Sequence, residues 1–116
     1  MERLCRIRDL QRAVNRFEDD FETLYGICLN EGMLLCSLSK SERLSAGELG
    51  ELLGITPSNA SKVIGSAERK ELVRRSLGHD DKRQMYFSLT DRGRALLASV
   101  RCDAIPLPEV LEKALR

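Results

Sequence analysis

The sequence predicts a mainly α-helical chain with one small β-hairpin, and three observations support this prediction. Apolar residues recur at helical spacing near the N-terminus, two short segments with helix-capping signals follow, and two runs of alternating side chains come after them. The 116 residues, 42% of them apolar, can form a core without disulfides. No stretch approaches the roughly 20 apolar residues that span a bilayer, and the charged N-terminus is unlike a signal peptide. We therefore expect a cytoplasmic protein with no membrane partner.

Residues 7–28 carry apolar side chains alternately three and four positions apart, the pattern of a helix that packs along one seam. The seam begins with Ile7, Leu10, Val14 and Phe17. We expect it to pack at least partly against a second subunit, because so long a seam exceeds what a small core usually offers. A helix within the protein's own core is the alternative.

The next segment is predicted to be a short buried helix. Asn30 is placed to cap it, and the apolar run at 33–38 would lie in the core. Cys28 and Cys36 are expected to be small buried hydrophobic residues with free thiols. The four cysteines form no C-x-x-C pair, and one histidine cannot complete a common zinc site, so we expect no metal and no cofactor.

Residues 45–70 have the capping signals of two helices joined by a tight turn. Ser45 and Glu48 have the spacing of a capping box, and Gly54 is a stop signal. Thr56 can cap the second helix, in which Pro57 takes the first position. Two helices joined in this way form a helix-turn-helix.

The second helix has two chemically different sides. One side is apolar, with Ala60, Val63, Ile64 and Ala67. The other carries small and cationic residues, namely Ser58, Ser61, Lys62, Gly65 and Arg69. No large side chain there would hold the backbone away from a groove, so we predict that this face enters the DNA major groove. If it merely faced solvent, Gly65 would cost about 1 kcal/mol relative to alanine with nothing to offset it.

The segments "LVRRSL" (72–77) and "MYFSL" (85–89) are predicted strands, and Thr90 begins a further helix. Helix, turn, helix, hairpin and helix is the order of a winged helix. The loop at 78–84 would then be the tip of the wing.

Charged residues at this tip suit a nucleic acid. Lys82 and Arg83 can reach a phosphate or the narrow minor groove, and either Asp80 or Asp81 can hold the guanidinium in place. The surrounding segment 56–94 has nine basic and five acidic residues, although the whole chain has a net charge of only +1. This concentration of positive charge favours a polyanionic partner.

From about Leu29 to Leu97 the chain resembles the multiple-antibiotic-resistance regulator (MarR) family of winged-helix transcription factors. The resemblance rests on "LSAGELGELLGITPSNASKVIGSAERKELV" and "DDKRQMYFSLTDRG". In the second segment, the family pattern Asp-x-Arg followed by Leu-Thr-x-x-Gly matches Asp81, Arg83, Leu89, Thr90 and Gly93.

The resemblance implies a homodimer that binds a pseudo-palindromic operator, usually as a repressor, and that can respond to a small-molecule inducer. The recognition helix (57–70) would lie in the major groove of double-stranded DNA and the wing (78–84) in the minor groove. The implied contacts are Ser58, Asn59, Ser61 and Lys62 in the major groove and Arg83, steadied by Asp81, in the minor groove.

The chain departs from the family pattern at three places. Glu71 stands where a glycine usually follows the recognition helix, so we expect some strain there. Ser66 replaces a longer cationic residue, which leaves more of the contact to Lys62 and Arg69. The C-terminal segment is shorter than the family's usual dimerisation helices.

These observations predict three parts and leave two alternative functions open. The parts are an N-terminal dimerisation helix (1–28), a winged helix-turn-helix DNA-binding domain (29–97) and a short C-terminal segment at the dimer interface (98–116). One alternative is a winged helix that binds only protein. The other is a thiol redox sensor that uses Cys5 and Cys102. No nucleophile motif, phosphate loop or paired catalytic carboxylates are found, so we do not expect an enzyme.

Overall fold

The computed structural model describes residues 2–78, 83–100 and 105–116. Predictions for Asp80, Asp81, Lys82 and Cys102 therefore fall outside the described residues. The described elements, in chain order, are α1 (Glu2–Tyr25), α2 (Leu29–Ser39), β1 (Leu44–Ser45), α3 (Ala46–Leu53), α4 (Pro57–Arg69), β2 (Val73–Leu77), β3 (Met85–Leu89), α5 (Asp91–Ser99) and α6 (Glu109–Ala114). Within these ranges, no helix has the length and apolarity that crossing a membrane requires.

The chain packs as two compact units. One consists of Met1–Leu29 with Arg101–Arg116, and the other of Asn30–Val100. In the first unit, α6 contacts the long helix α1. The aromatic ring of Phe21 lies between those of Phe17 and Tyr25, with centroid distances of 6.1 and 5.0 Å.

Helix α2 begins one residue earlier than its predicted cap. Gly26 adopts a left-handed backbone conformation (φ 73°), and the chain is helical again from Leu29. Asn30 therefore lies inside the first turn of α2, and its predicted role as the N-cap is wrong.

The apolar run in α2 is only partly buried. Leu34, Leu35 and Leu38 lie in the core, whereas Met33 is 45% exposed and Cys36 is exposed. A helix turns through 100° per residue, so consecutive apolar residues cannot all face one side. The prediction that Cys36 is a buried hydrophobic residue is therefore wrong.

The capping signals of the helix-turn-helix are confirmed. Ser45 Oγ accepts a hydrogen bond from the backbone N–H of Glu48 (3.2 Å), and the Glu48 carboxylate accepts one from the backbone N–H of Ser45 (3.0 Å). Gly54 ends α3 in a left-handed conformation (φ 67°). Thr56 caps α4, with Pro57 in its first turn. These local contacts fix both ends of the turn that joins α3 to α4.

The two predicted strands form an antiparallel hairpin, in which Val73 pairs with Leu89 and Arg75 with Phe87. The two-residue strand β1 pairs with the other edge of β3, which gives the order β1-β3-β2. Because two residues are too few to show an alternating pattern, β1 could not be predicted.

Helix α5 is tied to the turn between α4 and β2. Thr90 caps α5 by accepting from the backbone N–H of Gly93 (3.0 Å), as predicted, and its hydroxyl donates to the Glu71 carbonyl (2.7 Å). The backbone N–H of Thr90 donates to the Leu72 carbonyl (3.1 Å). Glu71 has a left-handed conformation with φ 61°. The strain expected where glutamate replaces the family's glycine is therefore present.

Candidate nucleic-acid interface

One side of α4 is held in the core, and this fixes which side faces outward. Ala60, Ile64 and Ala67 are at most 3% exposed. The predicted contact residues of α4 are all exposed, namely Ser58, Asn59, Ser61, Lys62 and Arg69. The structure thus brings these five residues together on one accessible helix surface, which we call the α4 face.

Gly65 makes room for a cation on the α4 face. A Cβ atom at this position would lie 3.4 Å from Nη1 of Arg69, one turn further along the helix. The Arg69 guanidinium therefore lies close over the helix backbone. Because glycine has no side chain, nothing projects from position 65 at the centre of the α4 face.

The start of α4 borders a shallow groove against α3. Its volume is about 450 Å³, and its lining includes Gly47, Gly50, Gly54, Pro57 and Ser61. A Cβ built on Gly50 would lie 3.5 Å from the Cβ of Ala60. The two helices thus meet in close contact, which leaves the first turn of α4 accessible beside small residues.

Arg75 on the hairpin is bound to Glu68 on α4. Its Nε and Nη2 donate to the two carboxylate oxygens over 3.2 and 2.7 Å, and its Cζ lies 5.6 Å from the centre of the Phe87 ring. The hydrogen bond to Glu68 raises the pKa of Arg75 above its ordinary value. This bidentate pair fixes the hairpin against the helix, because its planar geometry allows little rotation.

A second ion pair links α4 to α2. Lys70 is the C-cap of α4, and its Nζ lies 2.8 Å from Oε1 of Glu31, whose side chain is only 3% exposed. Sequence reasoning missed both pairs. The position of Arg75 depends on the register of the hairpin, which pairs it with Phe87 and which no local sequence pattern gives. For Glu31 and Lys70, 39 residues apart, no local pattern exists.

At the wing, the described residues cover its base and Arg83. The backbone N–H of Gly78 donates to the Gln84 carbonyl (2.8 Å), which closes the base of the loop, and Arg83 is exposed. Asp81 and Lys82 lie outside the described residues, so the expected contact between Asp81 and Arg83 stays a prediction.

The model of the MarR family matches residues 27–85 of this sequence. The chain belongs to the MarR family. The matched segment contains α2, the helix-turn-helix and the start of β3, so it includes the whole α4 face. Membership in a family of transcriptional regulators agrees with the expectation that the chain is not an enzyme.

Individual transcriptional regulators are similar to this chain over most of its length. The HTH-type transcriptional regulator YwaE of Bacillus subtilis is 30% identical over 87 residues, 75% of this chain and 51% of YwaE. The chain thus spans about half the length of that relative.

Solved structures share the fold, and two of them serve as examples. One is of Bordetella bronchiseptica BpsR, described as regulated in its DNA binding by 6-hydroxynicotinic acid, with a TM-score of 0.68, 23% identity and coverage of 78% of this chain and 67% of that one. The other is a mutant of Escherichia coli MarR complexed with operator DNA, with a TM-score of 0.72, 17% identity and coverage of 91% and 76%. The prediction of a winged-helix fold is confirmed.

In this MarR-family chain, the predicted seam on α1 is largely accessible. Ile7 is 53% and Val14 36% exposed, while Leu10 and Phe17 are half-buried. Ile7, Leu10 and Val14 border a shallow groove of about 450 Å³. In a single chain these apolar side chains are therefore only partly buried, and they remain accessible to a partner.

Cys5 is exposed on α1. Its predicted partner Cys102 lies outside the described residues, so a redox pair stays a prediction. Among the residues that the structure describes, no group of three or more histidine, cysteine, aspartate or glutamate side chains is placed to hold a metal ion.

Proposed function

We propose that this chain is a transcriptional repressor that binds a pseudo-palindromic operator as a homodimer, with α4 in the major groove and the wing in the minor groove. The observation that carries the proposal is the α4 face, on which small polar and cationic side chains are exposed together. Such a surface lets the helix backbone approach base edges closely while its cations meet phosphates.

The residues of the α4 face have different roles in this proposal. Ser58, Asn59 and Ser61 donate to or accept from base edges, since hydroxyl and amide groups match the hydrogen-bonding pattern of the major groove. Lys62 reads a base edge from the next turn. Arg69 lies near the C-terminal end of α4 and contacts the phosphate backbone.

The wing supplies a second contact. Arg83 enters the minor groove, steadied by Asp81, and Lys82 binds a phosphate. The Arg75–Glu68 pair supports this arrangement because it fixes the base of the wing against α4, with a shortest distance of 2.7 Å. A wing held in this way keeps a constant distance and orientation relative to the recognition helix when it enters the minor groove.

The homodimer is formed through the α1 seam, together with the C-terminal segment. Ile7 and Val14 are exposed apolar side chains on one side of α1, and a second copy of the chain would remove them from water. Two recognition helices related by two-fold symmetry would then match a pseudo-palindromic site.

A small-molecule inducer binds in the unit that contains α4. An open cleft of about 540 Å³ lies between the end of α2 and α5, with Leu38, Leu89 and Leu97 beside the charged side chains of Lys40, Glu42 and Arg94. Apolar walls beside charged groups suit a small, partly polar organic molecule. Regulation by such a compound is described for the structural relative BpsR.

A winged helix that binds only protein is the weaker candidate. It calls for an apolar recognition surface, whereas the exposed residues of the α4 face are polar or charged.

The test separates base reading from phosphate binding. Lys62→Ala and Ser61→Ala should each change which base pairs are preferred, by about 1–3 kcal/mol where a base edge is touched. Lys82→Ala should weaken binding to all sequences alike and reduce the slope of affinity against salt by about one unit. Titrations of several duplexes at several salt concentrations measure both effects. If Lys82→Ala changed the preference and Lys62→Ala did not, α4 would not be the reading helix.

A further inference from the structure

The ion pair between Glu31 and Lys70 joins two distant parts of the chain at the end of the recognition helix. The Glu31 carboxylate is almost fully buried, and Lys70 reaches it from the C-cap of α4 over 2.8 Å. A buried carboxylate is strongly disfavoured without a cation nearby. The end of α4 is therefore held at one position relative to the first turn of α2.

The same end of α4 is also connected to α5. The turn that follows Lys70 accepts hydrogen bonds from Thr90, through the carbonyls of Glu71 (2.7 Å) and Leu72 (3.1 Å). Helices α2 and α5 begin and end the unit Asn30–Val100, so they are the two helices through which the rest of the chain is attached to it. The turn at 70–72 is thus linked to both.

We infer that Glu31 and Lys70 position the recognition helix for a dimer on DNA, so that their ion pair determines which half-site spacing is accepted. This inference rests on the proposed function. Neither side chain has to touch DNA in this role. If the pair is removed, the C-terminal end of α4 can shift, and the two recognition helices of a dimer no longer keep one separation.

The decisive variant is Glu31→Gln, because electrostatics and positioning predict opposite results for it. The substitution removes one negative charge, and general attraction to DNA would then become stronger. Loss of positioning would instead weaken binding to the preferred duplex, by about three- to tenfold. Glu18→Gln is the matched control, since it makes the same charge change at an exposed position of α1.

The measurement uses the full chain and a series of duplexes. Each duplex carries the best sequence selected by the unaltered protein, with its half-sites moved apart or together by one or two base pairs. Circular dichroism confirms that each variant is folded at the temperature used. We expect Glu31→Gln to bind the best duplex more weakly and to discriminate less between spacings, while Glu18→Gln keeps the original spacing preference.

A second variant covers the case in which Glu31→Gln does not fold. Glu31→Gln combined with Lys70→Met removes both charges of this ion pair, and the same loss of spacing preference is expected. Unchanged affinity and spacing preference in a folded variant that lacks the pair would overturn the inference while leaving the proposed function intact. If the unaltered chain selected no duplex at all, the proposed function would fail, and the positioning role with it.

Discussion

Gly93 has no room for a side chain. A Cβ atom at this position would overlap the carbonyl oxygen of Leu72 and lie 3.1 Å from its carbonyl carbon. This contact gives a physical reason for the glycine in the Leu-Thr-x-x-Gly pattern, because α5 begins directly against the backbone that follows α4. The identity of one residue thus sets how closely two elements pack.

Gly93→Ala should therefore destabilise the protein by about 1–3 kcal/mol or more, since backbone has to move to admit the methyl group. Gly47→Ala is the control, because a Cβ there would meet nothing closer than Ser45 Oγ at 4.0 Å. Urea unfolding of both variants provides the measurement. Equal stability of the two would show that α5 does not depend on this close approach.

Glu48 gives the folded state a pH dependence. The backbone N–H and the side chain of Ser45 both hydrogen-bond with its carboxylate and hold the pKa of Glu48 below its ordinary value. A carboxyl whose pKa is lower in the folded state contributes stability that is present above its unfolded pKa. This contribution is lost as the pH falls through the lowered value.

Glu48→Gln should remove this contribution to the pH dependence, because glutamine can retain the capping hydrogen bond without titrating. Thermal unfolding of both proteins from neutral pH down to pH values below the usual glutamate range tests this. The difference in stability between them should shrink on acidification. A difference that stayed constant would mean that the Glu48 carboxylate is not held by the cap.

At the scale of whole elements, α4 combines a stability cost with a functional surface. Gly65 lies in the middle of this helix, where glycine costs about 1 kcal/mol relative to alanine. Gly65→Ala should stabilise the protein by up to about this amount, while the added methyl group weakens DNA binding by holding the helix away from the groove. Unfolding and DNA titration of the same variant measure the two effects. A stabilised variant with undiminished affinity would show that position 65 does not approach DNA.

The elements that could be predicted are those whose signals are local. Ser45, Thr56 and Thr90 each cap the helix that they were predicted to cap, because a cap depends on residues only three positions away. The prediction that Asn30 caps α2 was wrong, because α1 ends in a glycine turn and α2 begins before the asparagine. Strand β1 left no signal, because its two residues depend on pairing with distant β3.

The candidate site followed the same rule. The outward side of α4 could be predicted because it is the complement of an apolar helical stripe. The ion pairs that hold α4, from Lys70 to Glu31 and from Arg75 to Glu68, could not be predicted, since they form only when the fold brings separate elements together. The sequence thus indicated the surface but not its support.

For the whole molecule, the proposed recognition of a two-fold symmetric site depends on association through α1. Leu10→Asp with Phe17→Asp should separate or unfold the subunits, because a charge in a buried seam loses its hydration without gaining a partner. Leu10→Asp alone is the milder variant, and Thr23→Asp places a charge at an exposed position on the opposite side of α1 as a control. Sedimentation gives the mass of each. A dimer of unchanged affinity in the double variant would place the subunit contact elsewhere.

The proposed function requires a symmetric dimer that reads DNA with α4. Selection of bound molecules from a pool of random duplexes, followed by sequencing, tests it most directly. We expect a motif with two-fold symmetry whose half-sites have centres about 10 base pairs apart, or a multiple of that distance. Recovery of bound duplexes with no two-fold-related motif would contradict it.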